Sequence, residues 1–561
     1  MIANNSRTGR KIKKESFMQG VLALMVSQVL IKVLGLVYKL YLTNKEGFGD
    51  DGNAIYSAGY QIYALLLSIS SIGVPNAVSK LIAERLSLGD SRGAHRIFRI
   101  AFATFGFIGI VGTLILLLGA RPIASMMGMP EAEMTLVALS PSIFFVSIMS
   151  VIRGFFNGRS KIKVTANSQT LEQVFKTVFT IVVVEIVAVL SGVNTTLMAA
   201  GANLATTLAV VGSFMYLLTY YKVHKRDKLE IEEIEKKNYT SRVNSSIMKK
   251  SVRQIVKSIL WVSIPISLSS ILVSVNKNID SFTVVNLLKR FLSVEEAREQ
   301  YGILSGKIEV LTSLPLSFNV AFATALVPAI TAARTKGELG KGVKRISFSL
   351  LTTIVIVLPC VVGMVIFADP ILKLLTPNAP KGAWIMQVCV LATIFTAMEQ
   401  TINGALQGLG KVFVPAIALS IGVLVKLILN LILVPIPTEV FPLGGAAGAA
   451  FATDVCHIIA FSIVFSVLRK SVKLKMKFSN MIIKPIIASA MMGIVSYGTF
   501  ILMNGIIATK MATIIALVVA VIVYLLSVIV LRIFSEEDIL MLPYGKKIYA
   551  VLVKMGIYKE K

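Results

Sequence analysis

The feature that most constrains this chain is a series of about fourteen apolar segments, each long enough to cross a bilayer as a helix of about 20 residues. Hydrophobic residues make up 55% of the 561 residues and charged residues 15%, and the mean hydropathy is +0.78, which is outside the range of soluble domains. Backbone polar groups in lipid need partners within the segment, so runs of this length indicate helices rather than strands. The sequence predicts an all-α polytopic membrane protein.

The predicted spans divide into an N-lobe at 17–221, a C-lobe at 258–468 and two further helices at 481–534. A basic tail at 1–16, a linker at 222–257 and a tail at 535–561 complete the chain. The fourteen spans are 17–42, 56–83, 97–118, 134–156, 166–190, 196–221, 258–287, 302–332, 346–367, 383–407, 412–436, 444–468, 481–504 and 511–534.

The net charge of +28 is distributed along the chain in a way that indicates membrane topology rather than nucleic-acid binding. Lys and Arg fall mainly on the N-terminal tail, on every second connection and on the C-terminal tail. By the positive-inside rule these segments are cytoplasmic. We therefore expect both termini on the cytoplasmic side, membrane lipids as surroundings and no nucleic-acid partner.

Several lysines lie inside the predicted spans, where a charge costs about 2.5–3.5 kcal/mol at the bilayer centre. Lys32, Lys176 and Lys426 lie about 15–22 Å from the ends of their spans, which makes snorkelling to the surface difficult. We expect these three to face a cavity and to bind substrate. For lysines nearer the span ends, anchoring at the membrane surface competes evenly with substrate binding; these are Lys39, Lys80, Lys277 and Lys307.

The first span carries a polar stripe. Gln28, Lys32, Gly35 and Lys39 follow i, i+4, i+7, i+11 spacing, which places them on one helical face. Tyr38 lies beside this stripe. We expect the stripe to line a cavity, since lysines are otherwise rarely placed at such depth.

Acidic residues elsewhere in the spans offer local neutralisation. Asp280 lies three residues after Lys277, and Glu309 lies two residues after Lys307. We predict that these neighbours can form pairs, with Glu309 as a supporting polar group. No comparable neighbour accompanies Lys32. The histidines are scattered, which does not indicate a metal site, and no cofactor is expected beyond a coupling ion or the membrane potential.

Internal similarity relates the first six spans to the next six. "RGFFNGRSKIKV" aligns with "NGALQGLGKVFV" at an offset of 250 residues, and the same offset pairs Lys176 with Lys426. "AAGANLAT" likewise aligns with "AAGAAFAT", and Val74-Pro75 with Val327-Pro328. Both copies begin at the same side, so the repeat is parallel. The sequence predicts two pseudo-symmetric six-helix lobes plus two extra C-terminal helices, with Pro75, Pro315, Pro328 and Gly35 as hinge or packing positions.

Three stretches resemble the multidrug/oligosaccharidyl-lipid/polysaccharide exporter superfamily, in its MurJ-type branch with Gram-positive polysaccharide-biosynthesis and sporulation relatives. They are "IKVLGLVYK", "GVPNAVSKLIAE" and "LPLSFNVAFATALVPAI". The resemblance implies a flippase in the bacterial cytoplasmic membrane that moves the undecaprenyl-diphosphate-linked precursor lipid II through a cationic cavity. It implies a lipid-tail groove at the last two helices, and cell-wall synthesis proteins as candidate partners.

Residue by residue, the resemblance assigns Lys32 to a basic position of the family's first helix and Lys307 to an arginine position of its eighth. Departures occur at Tyr38 and Lys39, where Gram-negative members have an arginine followed by an acid, and at Ser79 and Lys80, which replace two arginines. The chemistry agrees with this cargo, because a diphosphate with peptide carboxylates requires several cations.

Three other classes stay open. The first is a flippase for another undecaprenyl-linked saccharide, such as a capsule or teichoic precursor. The second is multidrug extrusion, which would favour acids over lysines in the cavity. The third is an enzyme using Asp50 and Asp51 of the first outer loop, although an exposed acidic turn explains this pair better and predicts that Asn substitutions leave transport intact. A scaffold for cell-wall synthases would not need lysines at mid-membrane. If the cavity binds anions, Lys32→Ala, Lys176→Ala and Lys426→Ala lose transport while folding survives.

Overall fold

The computed structural model describes residues 17–71, 73–88, 90–223, 251–335, 337–472, 474, 479–541, 545–554 and 558. Within these ranges the chain forms helices joined by turns, and no strand is assigned. The predicted tail 1–16 and most of the predicted linker 222–257 lie outside the described residues. The all-α fold class is therefore confirmed for the part of the chain that carries the spans.

The first half contains seven α-helices: α1 (Phe17–Asn44), α2 (Gly49–Ser71), α3 (Gly73–Ser87), α4 (Ser91–Met126), α5 (Glu133–Gly158), α6 (Ile162–Ser191) and α7 (Thr195–Val223). A 3-10 turn at Pro130–Ala132 precedes α5. Helices α2 and α3 together correspond to the second predicted span. The first six predicted spans are thus all helical.

The second half begins with α8 (Val252–Leu288), α9 (Val294–Tyr301), a π-helix at Gly302–Ile308 and α10 (Glu309–Thr335). It continues with α11 (Leu339–Ile366), α12 (Ala368–Leu375), α13 (Ala383–Cys389), α14 (Ala392–Gly408), α15 (Val414–Leu433) and α16 (Gly445–Ser471). The last elements are a π-helix at Ser479–Ile483, α17 (Lys484–Asn504), α18 (Thr509–Val530), α19 (Glu536–Met541) and α20 (Gly545–Lys554).

Length and hydropathy identify eleven candidate membrane spans among the described residues. The count becomes twelve if α8, which bends by 54° between its segments 252–264 and 267–288, is counted as one span. Helices α1 and α10, which cover the first and eighth predicted spans, are not among them. The predicted multi-pass helical architecture is confirmed, whereas the count of fourteen spans is not.

The structure supports the internal repeat at the glycines that the sequence alignment pairs. A Cβ on Gly154 of α5 would lie 2.8 Å from the backbone oxygen of Pro75 in α3, and one on Gly404 of α14 would overlap the backbone oxygen of Ala323 in α10. Each copy thus brings its fourth span into close backbone contact with its second. Larger residues would separate these helices, so small residues are required.

The apolar cores divide unevenly between the two ends of the bundle. At the end predicted to be cytoplasmic there are two buried clusters: one around Ile152 of the first half, which also includes Ile255 and Ile259 at the start of α8, and one around Ile402 of the second half. At the opposite end, one large cluster includes Ala58 and Leu136 of the first half with Val285 and Met386 of the second. The halves are therefore joined by a common core at the predicted outer end.

Helices α17 and α18 pack on the outside of the second half. Their buried residues form a cluster with α11, and the Tyr524 hydroxyl of α18 donates to the backbone oxygen of Val355 at 2.6 Å. Both helices leave large apolar side chains exposed, including Ile494 and Val521. Such surfaces are suited to lipid.

Candidate functional site

Lysines from three helices come together near the centre of the bundle. Lys32 and Lys39 of α1, Lys176 of α6 and Lys277 of α8 form this group, which we call the lysine cluster. Lys32 is exposed and lies within electrostatic reach of Lys277, and Lys39 within reach of Lys176. Because α8 belongs to the second half and the other helices to the first, the cluster lies between the two halves.

Tyrosine rings from α1 and α2 surround the buried members of the cluster. The Lys176 Nζ lies 4.1 Å from the ring centre of Tyr60 and 5.2 Å from that of Tyr38, and the Lys39 Nζ lies 4.0 Å from that of Tyr56. The electron-rich ring faces attract ammonium groups. They compensate part of the desolvation of Lys39 and Lys176 without adding a negative charge.

The carboxylate of Glu309, at the start of α10, contacts the cluster. It accepts a hydrogen bond from Lys277 and another, at 3.1 Å, from the Gln61 side-chain nitrogen of α2. Its charge also reaches Lys32 and Lys39. With four lysines and this carboxylate, the site keeps an excess of positive charge that suits an anionic ligand.

Three of the predicted site lysines lie outside the cluster, and two of them form buried ion pairs. Lys307 contacts Asp50 of α2 at 2.9 Å, with side chains only 1% and 2% exposed. Lys426 of α15 contacts Asp280 of α8 at 2.7 Å and donates to the backbone oxygen of Asn276. The local pairs expected from sequence, Lys277 with Asp280 and Lys307 with Glu309, are not formed: Lys277 pairs with Glu309 instead.

Polar contacts join the two halves at the predicted outer end. We use the name outer closure for the ion pairs of Arg298 and Lys307 with first-half carboxylates and for the hydrogen bonds between the halves beside them. Arg298 of α9 donates to Asp51 at 2.7 Å and also to Glu131, next to the pair of Lys307 with Asp50. Burial disfavours the charged guanidinium, but the carboxylates outweigh it and raise the pKa of Arg298 above its ordinary value. Asp50 and Asp51 are therefore inter-half ion-pair partners, and the expectation of an exposed acidic turn was wrong.

The sequence of this chain matches two known protein families. The family described as "Polysaccharide biosynthesis protein" matches residues 17–334, which is more than half of the chain. The chain belongs to the polysaccharide biosynthesis protein family. A second family, MatE, matches residues 265–432. The resemblance to the exporter superfamily and its MurJ-type branch is thereby confirmed.

Three relatives of this polysaccharide biosynthesis family member come from Bacillus subtilis (strain 168). The uncharacterized membrane protein YabM is 28% identical, over 96% of this chain and 97% of its own length. Stage V sporulation protein B is 24% identical over 94% of this chain and 98% of its own length. Lipid II flippase MurJ is 25% identical over 85% of this chain and 87% of its own length.

Solved structures share the fold of this family member. Lipid II flippase MurJ in an inward closed conformation superposes with a TM-score of 0.67 and 16% identity, covering 90% of this chain and 98% of that one. An inward-facing multidrug resistance MATE transporter gives 0.60 and 16% identity, covering 80% and 98%. The protein therefore has the fold of these multi-pass transporters.

The other positions predicted from the sequence are Gln28, Gly35, Lys80, Pro75, Pro315 and Pro328. Gln28 donates to Gln169 of α6 at 3.4 Å, and a Cβ on Gly35 would lie 3.8 Å from Gln173, so this stripe faces α6. Lys80 of α3 is exposed. Pro75 and Pro315 are buried, whereas Pro328 is exposed. Their binding and hinge roles stay predictions.

The sequence did not single out Gln61, Tyr56 or Tyr60 as site residues, and it left Lys277 evenly between a membrane anchor and a substrate-binding lysine. Tyr56 and Tyr60 follow i, i+4 spacing, so an aromatic stripe on α2 was visible in the sequence. Gln61 carried no such signal, and the position of Lys277 near a span end did not separate binding from anchoring. Their role depends on the packing of α2 against α8 across the two halves.

Proposed function

We propose that this protein is a flippase that moves an undecaprenyl-diphosphate-linked saccharide, with lipid II as the first candidate, across the bacterial cytoplasmic membrane. The lysine cluster carries this proposal. A diphosphate needs several cations, and ammonium groups provide strong point charges without fixed bidentate geometry. The similarity to lipid II flippase MurJ and the family's link to polysaccharide biosynthesis support the same cargo class.

Alternating access is the mechanism that this architecture supports. The halves share a large core and ion pairs at the predicted outer end, while the opposite end has two distinct clusters, one in the first half with the start of α8 and one in the second half. A headgroup entering from the cytoplasm can reach the exposed Lys32 and Lys277. Release to the other side then requires the outer closure to separate. Membrane potential biases such a cycle by about 2.3 kcal/mol per charge per 100 mV.

The test is complementation of bacterial cells depleted of their lipid II flippase, with lipid II accumulation measured directly. We compare wild type, Lys32→Ala and Lys176→Ala at matched membrane expression, with Lys341→Ala as control. Lys341 is an exposed lysine that pairs with Glu338 away from the cluster. Rescue by wild type and the control, but not by the cluster variants, is the expected result.

A flippase for another undecaprenyl-linked saccharide is the second candidate, favoured by the family match and by the similarity to stage V sporulation protein B. Failure of well-expressed wild type to relieve lipid II accumulation would favour it. Multidrug extrusion receives support from the MatE match, but the excess of lysines disfavours organic cations. Rescue by the Lys32→Ala variant would show that the lysine cluster is not part of the transport path.

A further inference from the structure

Glu309 occupies the lysine cluster in the way that a ligand anion would. One of its carboxylate oxygens accepts from Lys277 of the second half, and the other accepts from Gln61 of the first half at 3.1 Å. An ammonium and an amide N–H thus hold two oxygens of one anionic group. A phosphate presents the same pair of acceptors to the same donors.

The position of this pair indicates a role other than stability. The Lys277 side chain is 44% exposed and that of Glu309 is 31% exposed, whereas the pairs of Lys307 and Lys426 are almost fully buried. A ligand can reach a partly exposed charge, but it cannot reach an almost fully buried one. The Lys277 ammonium can therefore exchange one anion for another when a ligand arrives, while the Gln61 side chain, only 7% exposed, donates from the protein interior.

We propose that Glu309 holds an anion subsite formed by Lys277 and Gln61 in the cargo-free protein, and that a phosphate group of the cargo displaces it. This inference rests on the proposed function, because it assigns the subsite to the diphosphate of that cargo. Glu309 is a positioning residue in this scheme. Lys277 and Gln61 are the groups that contact the phosphate.

Displacement of Glu309 also changes how the halves are connected. The hydrogen bond between Gln61 and Glu309 joins α2 to α10, and it is lost when the carboxylate leaves. Two residues before Glu309, Lys307 pairs with Asp50, which lies on the same α2 within the outer closure. The segment 307–309 therefore holds α2 at two points, and a phosphate bound by Gln61 and Lys277 replaces one of them with a link from α2 to α8. Cargo in this way favours the state in which the outer closure separates.

The experiment uses the full-length protein in lipid nanodiscs, with inorganic pyrophosphate as the probe. Pyrophosphate affinity is measured by calorimetry. Separation of the outer end is measured by the distance between spin labels at Met134→Cys and Val440→Cys, in a background with the three native cysteines replaced. These two residues are exposed and lie in different halves near the predicted outer end.

Glu309→Gln is the informative variant, and Glu185→Gln is the matched control. Glu185 also sits in a helix of the bundle and pairs with Lys45, so its replacement removes the same charge at another place. We expect pyrophosphate to widen the distance in wild type. We expect Glu309→Gln to bind pyrophosphate at least about fivefold more tightly and to show the wider distance without ligand. The control should match wild type in both measurements.

Three outcomes would overturn the inference: no pyrophosphate binding to wild type, an affinity change no larger than that of Glu185→Gln, or an unchanged distance in ligand-free Glu309→Gln. The last outcome would mean that Glu309 affects pyrophosphate binding only through its charge and does not hold the two halves together. Failure of the proposed lipid II cargo is separate. If cells are not rescued but pyrophosphate behaves as expected, the subsite stands and serves another diphosphate-linked cargo. If cells are rescued and Glu309→Gln resembles wild type, the inference alone fails.

Discussion

Lys176 and Lys426 occupy matching positions in the two copies of the repeat, yet they meet different partners. Tyrosine rings contact Lys176, and Asp280 pairs with Lys426. The charge of the second copy is therefore neutralised, while that of the first stays available. Both lysines donate toward the first helix of their own half, so the repeat conserves direction but not chemistry.

This difference predicts that Lys426→Ala acts mainly on stability. Removal of one partner leaves Asp280 buried without its cation, which costs about 3–5 kcal/mol of unfolding free energy. Lys32 is exposed, so Lys32→Ala should change stability by no more than about 1 kcal/mol while it impairs transport. Thermal unfolding of the purified variants, monitored by intrinsic fluorescence, measures both effects.

The control for this prediction is the double variant Lys426→Met with Asp280→Asn, which removes both charges together. It should recover much of the lost stability, because no unpaired charge remains. A Lys426→Ala protein as stable as wild type would contradict the expectation. The sequence alone predicted intact folding for this variant, and the buried pair is the reason for the revision.

At the level of elements, the π-helix Gly302–Ile308 sets the contact between α2 and the second half. A Cβ on Gly302 would overlap the backbone oxygen of Asp50, and one on Gly306 would lie 2.6 Å from the Cβ of Asn53. Short π segments often occur at functional sites. Here the segment carries Lys307 into its buried pair and ends at Ile308, next to Glu309.

Gly302→Ala should therefore separate α2 from the π-helix and destabilise the protein by about 1–3 kcal/mol. The backbone oxygen of Asp50 cannot move aside as a flexible side chain would. Gly363→Ala in α11 is the matched control, since its Cβ would meet nothing within 4 Å. That variant should be neutral or more stable by about 0.5–1 kcal/mol. Thermal unfolding of both variants measures this difference. Equal stability of the two variants would show that the close contact at Gly302 does not contribute to stability.

At the level of the whole molecule, contacts at the predicted outer end hold the two halves together. Besides its ion pairs, the outer closure contains the Asn286 side chain donating to the Met126 backbone oxygen at 2.8 Å and that of Asn44 donating to Leu375 at 2.8 Å. Together with the shared apolar core, these contacts describe a state closed at the predicted outer end.

A covalent link across the outer closure should stop transport. Asp51→Cys with Arg298→Cys, joined by a short bismaleimide, fixes α2 to α9 and blocks the rearrangement that release requires. Asp369→Cys with Lys373→Cys is the control, because both positions lie on α12 at the same end. Each protein is assayed before and after linking by lipid II accumulation in cells. Unimpaired transport by the linked Asp51 and Arg298 pair would rule out opening at this end.

Much of this architecture follows from the sequence by itself. Long apolar segments predict membrane helices because lipid offers no hydrogen-bond partners to the backbone. The repeat is visible because equivalent helices need the same small residues, as at Gly154 and Gly404. The depth of Lys32 and Lys176 marks a cavity, since a lysine facing lipid there is unfavourable.

Only the tertiary structure decided which charges meet. Lys277 pairs with Glu309 across 32 residues, Lys426 with Asp280 across 146 and Lys307 with Asp50 across 257. Local spacing favoured Lys307 with Glu309, but residues two apart on a helix do not face each other. Helix packing brings distant carboxylates closer than sequence neighbours, and it thereby separates lysines that are neutralised from lysines left free to bind an anion.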